Sequence, residues 1–273
     1  KSLIAFCQDR IDLQLLTDCT ISQKDKDSIH SELDGTIATI TDSSENTSRV
    51  LDCLQGRPNC QKFRKDSIWG IEFFDPIFAF PNDTISFYLD ADILFLRPFS
   101  GLFDRNQVKD GAVFLKDTQW DAYSFRPWQM LSVKKRPQAV KGITTGLVFW
   151  DKAAIDWDYL EWFLGEHHLH QIPEWIMPAA QAGLANSCEA KTICPRQLTN
   201  LYPNARIHED IFGVHLLGSY RIEWMEKLDA KEDNHLGNSP TMVPRFEKCV
   251  SQNFFGYSMR QMRRWKNTRL NLW

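Results

Sequence analysis

Ten consecutive residues, Phe87-Tyr88-Leu89-Asp90-Ala91-Asp92-Ile93-Leu94-Phe95-Leu96, constrain the fold more than any other stretch. The run is apolar enough to be a buried strand, yet it carries two acids two residues apart in its middle. If the strand conformation holds through both, Asp90 and Asp92 share one face. The commoner arrangement breaks the strand at the acids and lets one or both reach out from the turn. Either way two carboxylates stand at the end of a buried strand, where an unpartnered acid is rare. A divalent cation is the natural partner, and one held by one or two carboxylates usually completes its shell with substrate phosphates. Asp-X-Asp alone is more often a solvated turn. Here the flanks are apolar on both sides, and Arg97-Pro98-Phe99 gives the run a clear stop.

A second motif lies far downstream. His215-Leu216-Leu217-Gly218-Ser219-Tyr220-Arg221 spaces a His, a Gly and a base as H-x-x-G-x-x-R. Imidazole suits a transition-metal site and a guanidinium suits phosphate. A lone strand His is usually a satisfied core residue; its place before Gly218 and Arg221 favours a ligand role.

With both motifs the sequence resembles the nucleotide-sugar glycosyltransferases of the GT-A fold. It is most similar to the retaining family-8 type that includes glycogenin and bacterial galactosyltransferases, whose motifs read Tyr-Leu-Asp-Ala-Asp and H-x-x-G-x-x-K. The resemblance covers about Ser67 to Arg221 and is specific as a constellation. It implies an α/β fold with a mixed, mostly parallel central sheet flanked by helices (Rossmann-like), formed by residues 1–273 as one domain. It implies a UDP-sugar donor and a divalent metal, Mn²⁺ with Mg²⁺ as the alternative, held by Asp90, Asp92 and His215. Ala91, Thr145, Gly146, Gly218 and Arg221 are the implied donor-binding residues, and Asp90, Asp92 and Gln181 the catalytic ones. The acceptor would be a carbohydrate, a lipid-linked group or a protein.

Several positions depart from the family pattern. Thr144-Thr145-Gly146 lacks the family's Asn, which a hydroxyl could replace as a sugar partner. Ala180 stands where the family has Asp beside the reacting carbon, while Gln181 matches. Arg221 replaces Lys, keeping the charge and adding a planar fork. The family's basic residue on the helix before the acids has only Lys62, Arg64 and Lys65 as candidates, which lie too far upstream and read as a solvated face.

Elsewhere, Leu3 to Cys7 reads as the first strand and Gly35 to Thr41 as the second. Lys24–Leu33 and Arg49–Leu54 read as helices, and Phe63–Phe80 contains one that ends near Pro76 or before Pro81. Gly111–Leu115 and Gly142–Trp150 read as strands, Asp151–Leu164 and Pro178–Asn186 as helices. Lys116 to Pro137 has no clean period and reads as a long loop, a candidate acceptor wall. His167-His168-Leu169-His170 reads as a solvated helix end or loop, since adjacent His residues rarely converge on one ion.

The chain has 273 residues, 43% of them apolar, enough for a large core, and a net charge of −3 gives no global nucleic-acid signature. No stretch of 18 apolar residues is present to span a membrane. The sequence begins at Lys1 with no signal-like segment, which leaves a preceding anchor open. Of seven Cys, Cys53/Cys60, Cys188/Cys194 and Cys7/Cys19 are near in sequence, and Asn46 and Asn82 open two glycosylation sequons. If the pairs are disulfides the compartment is a secretory lumen; if they are thiols it is cytoplasmic or membrane-peripheral.

Two other classes remain. A haloacid-dehalogenase-type phosphatase also uses D-x-D, with Asp90 as nucleophile and Asp92 as general acid, but its motif stands near the start of the fold and is followed by a late acidic pair. A non-catalytic carbohydrate-binding relative would keep the fold without turnover. Residues 258–273 carry Arg260, Arg263, Arg264, Lys266 and Arg269 without an acid, interleaved with Met259, Met262, Trp265, Leu270 and Trp273. That basic helix, with Ser258 as N-cap, packs on the domain, binds an anionic acceptor, or lies on an anionic membrane.

Overall fold

The computed structural model describes residues 1–18, 20–33, 38–80, 82–132, 134–229 and 240–270. The N-terminal run folds as helix α1 (Ser2–Phe6), not as a strand. Five apolar residues are too few for periodicity to separate the two states; Leu3 and Phe6 pack as a helix beside Phe99. The first strand is instead β1 (Leu13–Thr17), paired in parallel with β2 (Ala38–Asp42). Between them lies α2 (Gln23–Glu32), whose N-cap Ser22 forms a capping box with Asp25.

Three helices follow: α3 (Ser43–Cys53), α4 (Pro58–Asp66) and α5 (Ile68–Ala79). The stretch expected to hold one helix is two, separated at Ser67, whose backbone is extended. Pro76 lies within α5, which runs on to Ala79. Lys62 and Lys65 are solvated as expected, but Arg64 is buried, with Nε 2.5 Å and Nη2 2.9 Å from the Asp75 carboxylate.

The central sheet has the order β10-β7-β5-β6-β3, with β3 (Ile85–Leu89), β5 (Gly111–Lys116), β6 (Ile143–Asp151), β7 (Glu189–Ile193) and β10 (Phe246–Lys248). It is mixed, as expected, but less parallel. Strands β3, β5 and β7 run one way, yet β6 returns between β3 and β5, so β5–β7 is the parallel pair in this sheet. A smaller sheet, β4-β9-β8, joins β4 (Ile93–Phe95), β9 (Gly213–His215) and β8 (Leu198–Asn200).

Alternation along β6 feeds two apolar layers. Val148 and Trp150 face a layer with Phe73, Phe74 and Ile77 of α5, and with α7 (Trp157–Gly165) and α8 (Ile176–Ala185). Leu147 and Phe149 face the other, with Phe87, Phe95, Phe212 and α6 (Arg105–Val108). The sheet is therefore covered on both faces, which explains the unbroken burial of Gly111–Leu115. Helix α7 starts later than expected, at Trp157, because the Asp156 side chain accepts from the Tyr159 N–H and caps it there.

Last come α9 (Arg221–Asp229) and α10 (Phe254–Leu270). Helix α10 begins at Phe254, about one turn before the start expected from a cap at Ser258, and the Asn253 side chain just ahead of it accepts from the Gly256 N–H at 2.7 Å. Cys7, Cys53, Cys60, Cys188, Cys194 and Cys249 carry free thiols, so neither Cys53/Cys60 nor Cys188/Cys194 is bridged; Cys19 lies outside the described residues. Asn46 is 5% exposed with its carbonyl held by Arg49, whereas Asn82 is exposed.

Candidate functional site

The acids sit where the two sheets meet. Strand β3 stops at Leu89, the chain turns through Asp90-Ala91-Asp92, and β4 begins at Ile93. The strand therefore breaks at the acids. The Asp90 N–H donates to Gly146 O at 2.8 Å, tying the turn to β6, and Asp92 O accepts from the Leu216 N–H at 3.0 Å, tying it to the end of β9. The Tyr88 hydroxyl donates to Asp90 Oδ1 at 2.6 Å.

His215 ends β9, opposite Ile93, and is 6% exposed. Its Nε2 lies 3.2 Å from Asp92 Oδ1 and 3.5 Å from Asp90 Oδ2. Its Nδ1 lies 2.9 Å from Asn200 Oδ1 on β8. An amide oxygen only accepts, so Nδ1 carries the proton and Nε2 faces the acids. Gly146 makes room for the ring: a Cβ there would stand 2.6–2.9 Å from three imidazole atoms. Arg221, at the start of α9, ion-pairs with Asp92 Oδ2.

This donor set fits a divalent cation. One ligand atom from each of Asp90, Asp92 and His215 lies within 4.8 Å of the others. Asp92 Oδ1 is buried and, although close to His215 Nε2, lacks hydrogen-bond geometry to any described partner. A buried carboxylate oxygen left so is costly, and a cation would satisfy it. Electrostatics show the same crowding. Burial alone would push the His215 pKa down, but the Asp90 and Asp92 carboxylates facing its Nε2 outweigh it and raise it to about 9. For Asp92, burial is outweighed by His215 and Arg221, and its carboxyl is held below the usual value.

A cavity of about 740 Å³ opens onto this cluster. Ala91, Gly218 and Arg221 line it. Among the described residues, nothing other than its chain neighbours lies within 4 Å of a Cβ built on Gly218, so packing there does not require glycine. Thr145 and Gly146 are one layer back, in β6, where the β5–β6 register shifts. Gln181 is not brought into the cluster: it is 3% exposed on α8 and its Oε1 accepts the Trp150 indole N–H at 2.7 Å.

Three features of the site were not picked out from the sequence. Glu72, on α5, lines the cavity beside the acids; burial and the charge of Asp90 raise its pKa to about 7. An acid within the apolar run Ile68–Phe74 was the available signal. Thr17 and Asp18 at the end of β1 line the cavity too, and were missed because the first strand was placed ten residues early. Asn200 gives no local sign of its bond to His215. The His167–His170 tract forms no group of converging ligand atoms among the described residues: His170 Nε2 lies 3.0 Å from Phe163 O, and His168 pairs with Glu166.

No family model matches the chain, and no curated protein matches it. Among solved structures, the apo form of mouse xyloside xylosyltransferase 1 is similar, with a TM-score of 0.53 at 10% identity over 80% of this chain and 89% of that one. At that identity the likeness is one of fold. It agrees with the mixed α/β architecture and does not reach the family-8 assignment.

Proposed function

We propose that this protein is a metal-dependent glycosyltransferase of the GT-A, family-8 type that moves a sugar from a UDP-sugar to a hydroxyl acceptor. The observation that carries the reading is the convergence of Asp90, Asp92 and His215 around a buried carboxylate oxygen that lacks a hydrogen bond among the described residues, at a cavity of about 740 Å³. The fold shared with a xylosyltransferase supports it. A divalent cation bound there, Mn²⁺ given mixed oxygen and nitrogen ligands or Mg²⁺ as the alternative, supplies Lewis acidity toward diphosphate oxygens.

The chain's own groups do the rest. Tyr88 and Arg221 hold the two carboxylates from the outside. Arg221 is half exposed at the cavity, so its remaining N–H groups can donate to a phosphate oxygen. The backbone at Gly218 is open enough for a phosphate to approach. In the transfer, the bond between the anomeric carbon and the phosphate oxygen breaks and the diphosphate leaves with the electron pair. The acceptor oxygen bonds to that carbon and passes its proton to the departing diphosphate. Negative charge grows on the leaving group, where Arg221 stabilises it.

A phosphatase would need acidic late partners for the D-x-D motif; Asp92 here meets His215 and Arg221. Ala180 and the Trp150-bound Gln181 favour a non-catalytic relative as the second reading. A nucleotide-sugar panel with and without Mn²⁺ separates them. UDP release supports the transferase. Phosphate release from a monoester supports the phosphatase, and stabilisation by a UDP-sugar without turnover supports the binding relative.

Peripheral contact with an anionic membrane belongs to the same proposal. Helix α10 docks through Tyr257, Arg260 and Arg264: Tyr257 donates to Phe125 O at 2.8 Å, Arg260 pairs with Asp121 at 2.8 Å, and Arg264 lies over the rings of Trp120 and Trp175. At 100° per residue the opposite face carries Phe255, Met259 and Met262, flanked by Trp265, all exposed, with Arg263, Lys266 and Arg269. The outward basic set is thus three cations, not the five of the bare sequence.

A further inference from the structure

Five carboxylates among the described residues line the cavity at the cluster, those of Asp18, Glu72, Asp75, Asp90 and Asp92. Four of them have donors of their own. Asp18 accepts from the Thr20 N–H at 3.2 Å and from its hydroxyl at 2.5 Å, and Asp75 is closed by Arg64. Asp90 accepts from Tyr88, and Asp92 pairs with Arg221. Glu72 is the fifth. Ile68, Glu72 and Asp75 recur at i, i+4 and i+7 on α5 and line the cavity together. Glu72 is half buried there, with Tyr88 against it. A phenol has one hydroxyl proton, and Tyr88 gives it to Asp90 Oδ1 at 2.6 Å. The Glu72 carboxylate thus borders the cavity with no donor committed to it among the described residues, and the transfer chemistry does not use it.

Charge decides what can stand beside it. A diphosphate oxygen next to a carboxylate is repelled, so the diphosphate belongs on the side of Arg221 and of a cation held by Asp90, Asp92 and His215. The sugar joined to that diphosphate carries hydroxyl groups, each able to donate to a carboxylate oxygen. A sugar that bears a carboxylate of its own brings a like charge to the same wall, and like charges brought together suppress binding.

We propose that Glu72 determines which sugar the donor carries, accepting hydroxyl hydrogen bonds from a neutral sugar and turning away uronic-acid donors. The assignment rests on the transferase reading, which puts a UDP-sugar in this cavity. Glu72 is then a specificity residue on α5, set apart from the three groups that hold the cation.

The test is calorimetric titration of the full chain in Mn²⁺ at pH 8, above the Glu72 pKa of about 7, so that the carboxyl is charged. The probes are UDP, UDP-glucose, UDP-galactose, UDP-xylose and UDP-glucuronate, on wild type, Glu72→Gln and Glu72→Ala. Wild type should bind at least one neutral UDP-sugar about tenfold or more tightly than UDP-glucuronate, and both variants should bring the two within about threefold. UDP binding reports that each variant is folded, and Gln keeps the side-chain volume if Ala disturbs α5. A wild type that does not favour a neutral sugar, or variants that keep the wild-type ratio, overturn the proposal. UDP release in the same preparations is read separately. Release from a neutral donor with a ratio insensitive to Glu72 defeats the specificity role alone. A Glu72-dependent ratio without release from any donor defeats the transferase reading and leaves a nucleotide-sugar binding site. A chain that binds none of the probes defeats both.

Discussion

Gly146 and His215 form a matched pair: the missing Cβ of one is the space occupied by the ring of the other. Gly146→Ala should therefore displace the imidazole and lower Mn²⁺ affinity about 10–100-fold, the range seen when a ligand's support is removed, while circular dichroism stays native. Unchanged affinity by isothermal titration would show that His215 is not a ligand. The same cluster predicts a pH effect in the metal-free protein. His215 takes up a proton more readily folded than unfolded, since its pKa rises from 6.5 to about 9. Its contribution to stability is then complete below about pH 6.5 and is lost as pH rises through about 9. Glu72 acts in the same direction at lower pH, because its raised pKa also makes the folded state bind the extra proton, between 4.5 and about 7. Urea midpoints measured in chelator should fall from pH 5 to 9, and His215→Asn should flatten the upper part of that fall. A midpoint that rises over pH 7–9 contradicts the assigned environment.

At the scale of elements, α4 and α5 are joined by a buried ion pair. Asp75 is 1% exposed; burial pushes its pKa up, and Arg64 only partly offsets that. Arg64→Met leaves the acid uncompensated and should cost about 3–5 kcal/mol in denaturant unfolding. A loss well under 1 kcal/mol would mean that the pair is not closed in solution. The elements also show what can be read from a chain like this. The strand ending at Asp90 and the strand delivering His215 were legible because each ends an apolar run on a chemically distinctive residue. Gly111–Leu115 and Gly142–Trp150 were legible for the same reason: long apolar runs with a defined start. Leu3–Cys7 was not, because five residues fit either state. Arg64, Glu72 and Asn200 were not, because each is a polar residue in an ordinary local setting, and only the packing of α4 on α5, α5 on β3, and β8 on β9 gives it a partner. Gln181 matched a pattern in sequence, yet Trp150 claims its amide.

At the scale of the whole molecule, no described helix is long and apolar enough to cross a membrane, and α10 is the element that could touch one. With about 1 kcal/mol per cation near an anionic surface, its three outward cations support a weak, salt-sensitive attachment, aided by Phe255, Met259, Met262 and Trp265. Lys266→Glu with Arg269→Glu should abolish co-sedimentation with phosphatidylserine vesicles at low salt and leave UDP release in solution unchanged. An unsubstituted chain that ignores such vesicles would confine α10 to bracing the loop at residues 116–131. The central claim, that Asp90, Asp92 and His215 hold the cation on which donor cleavage depends, is tested most directly by UDP release from UDP-sugars. It is measured on wild type stripped with chelator, on wild type restored with Mn²⁺, and on Asp92→Asn. The account predicts release only in the restored wild type, with the variant folded and at least about a hundredfold slower. Equal release in chelator, or from Asp92→Asn, would contradict it.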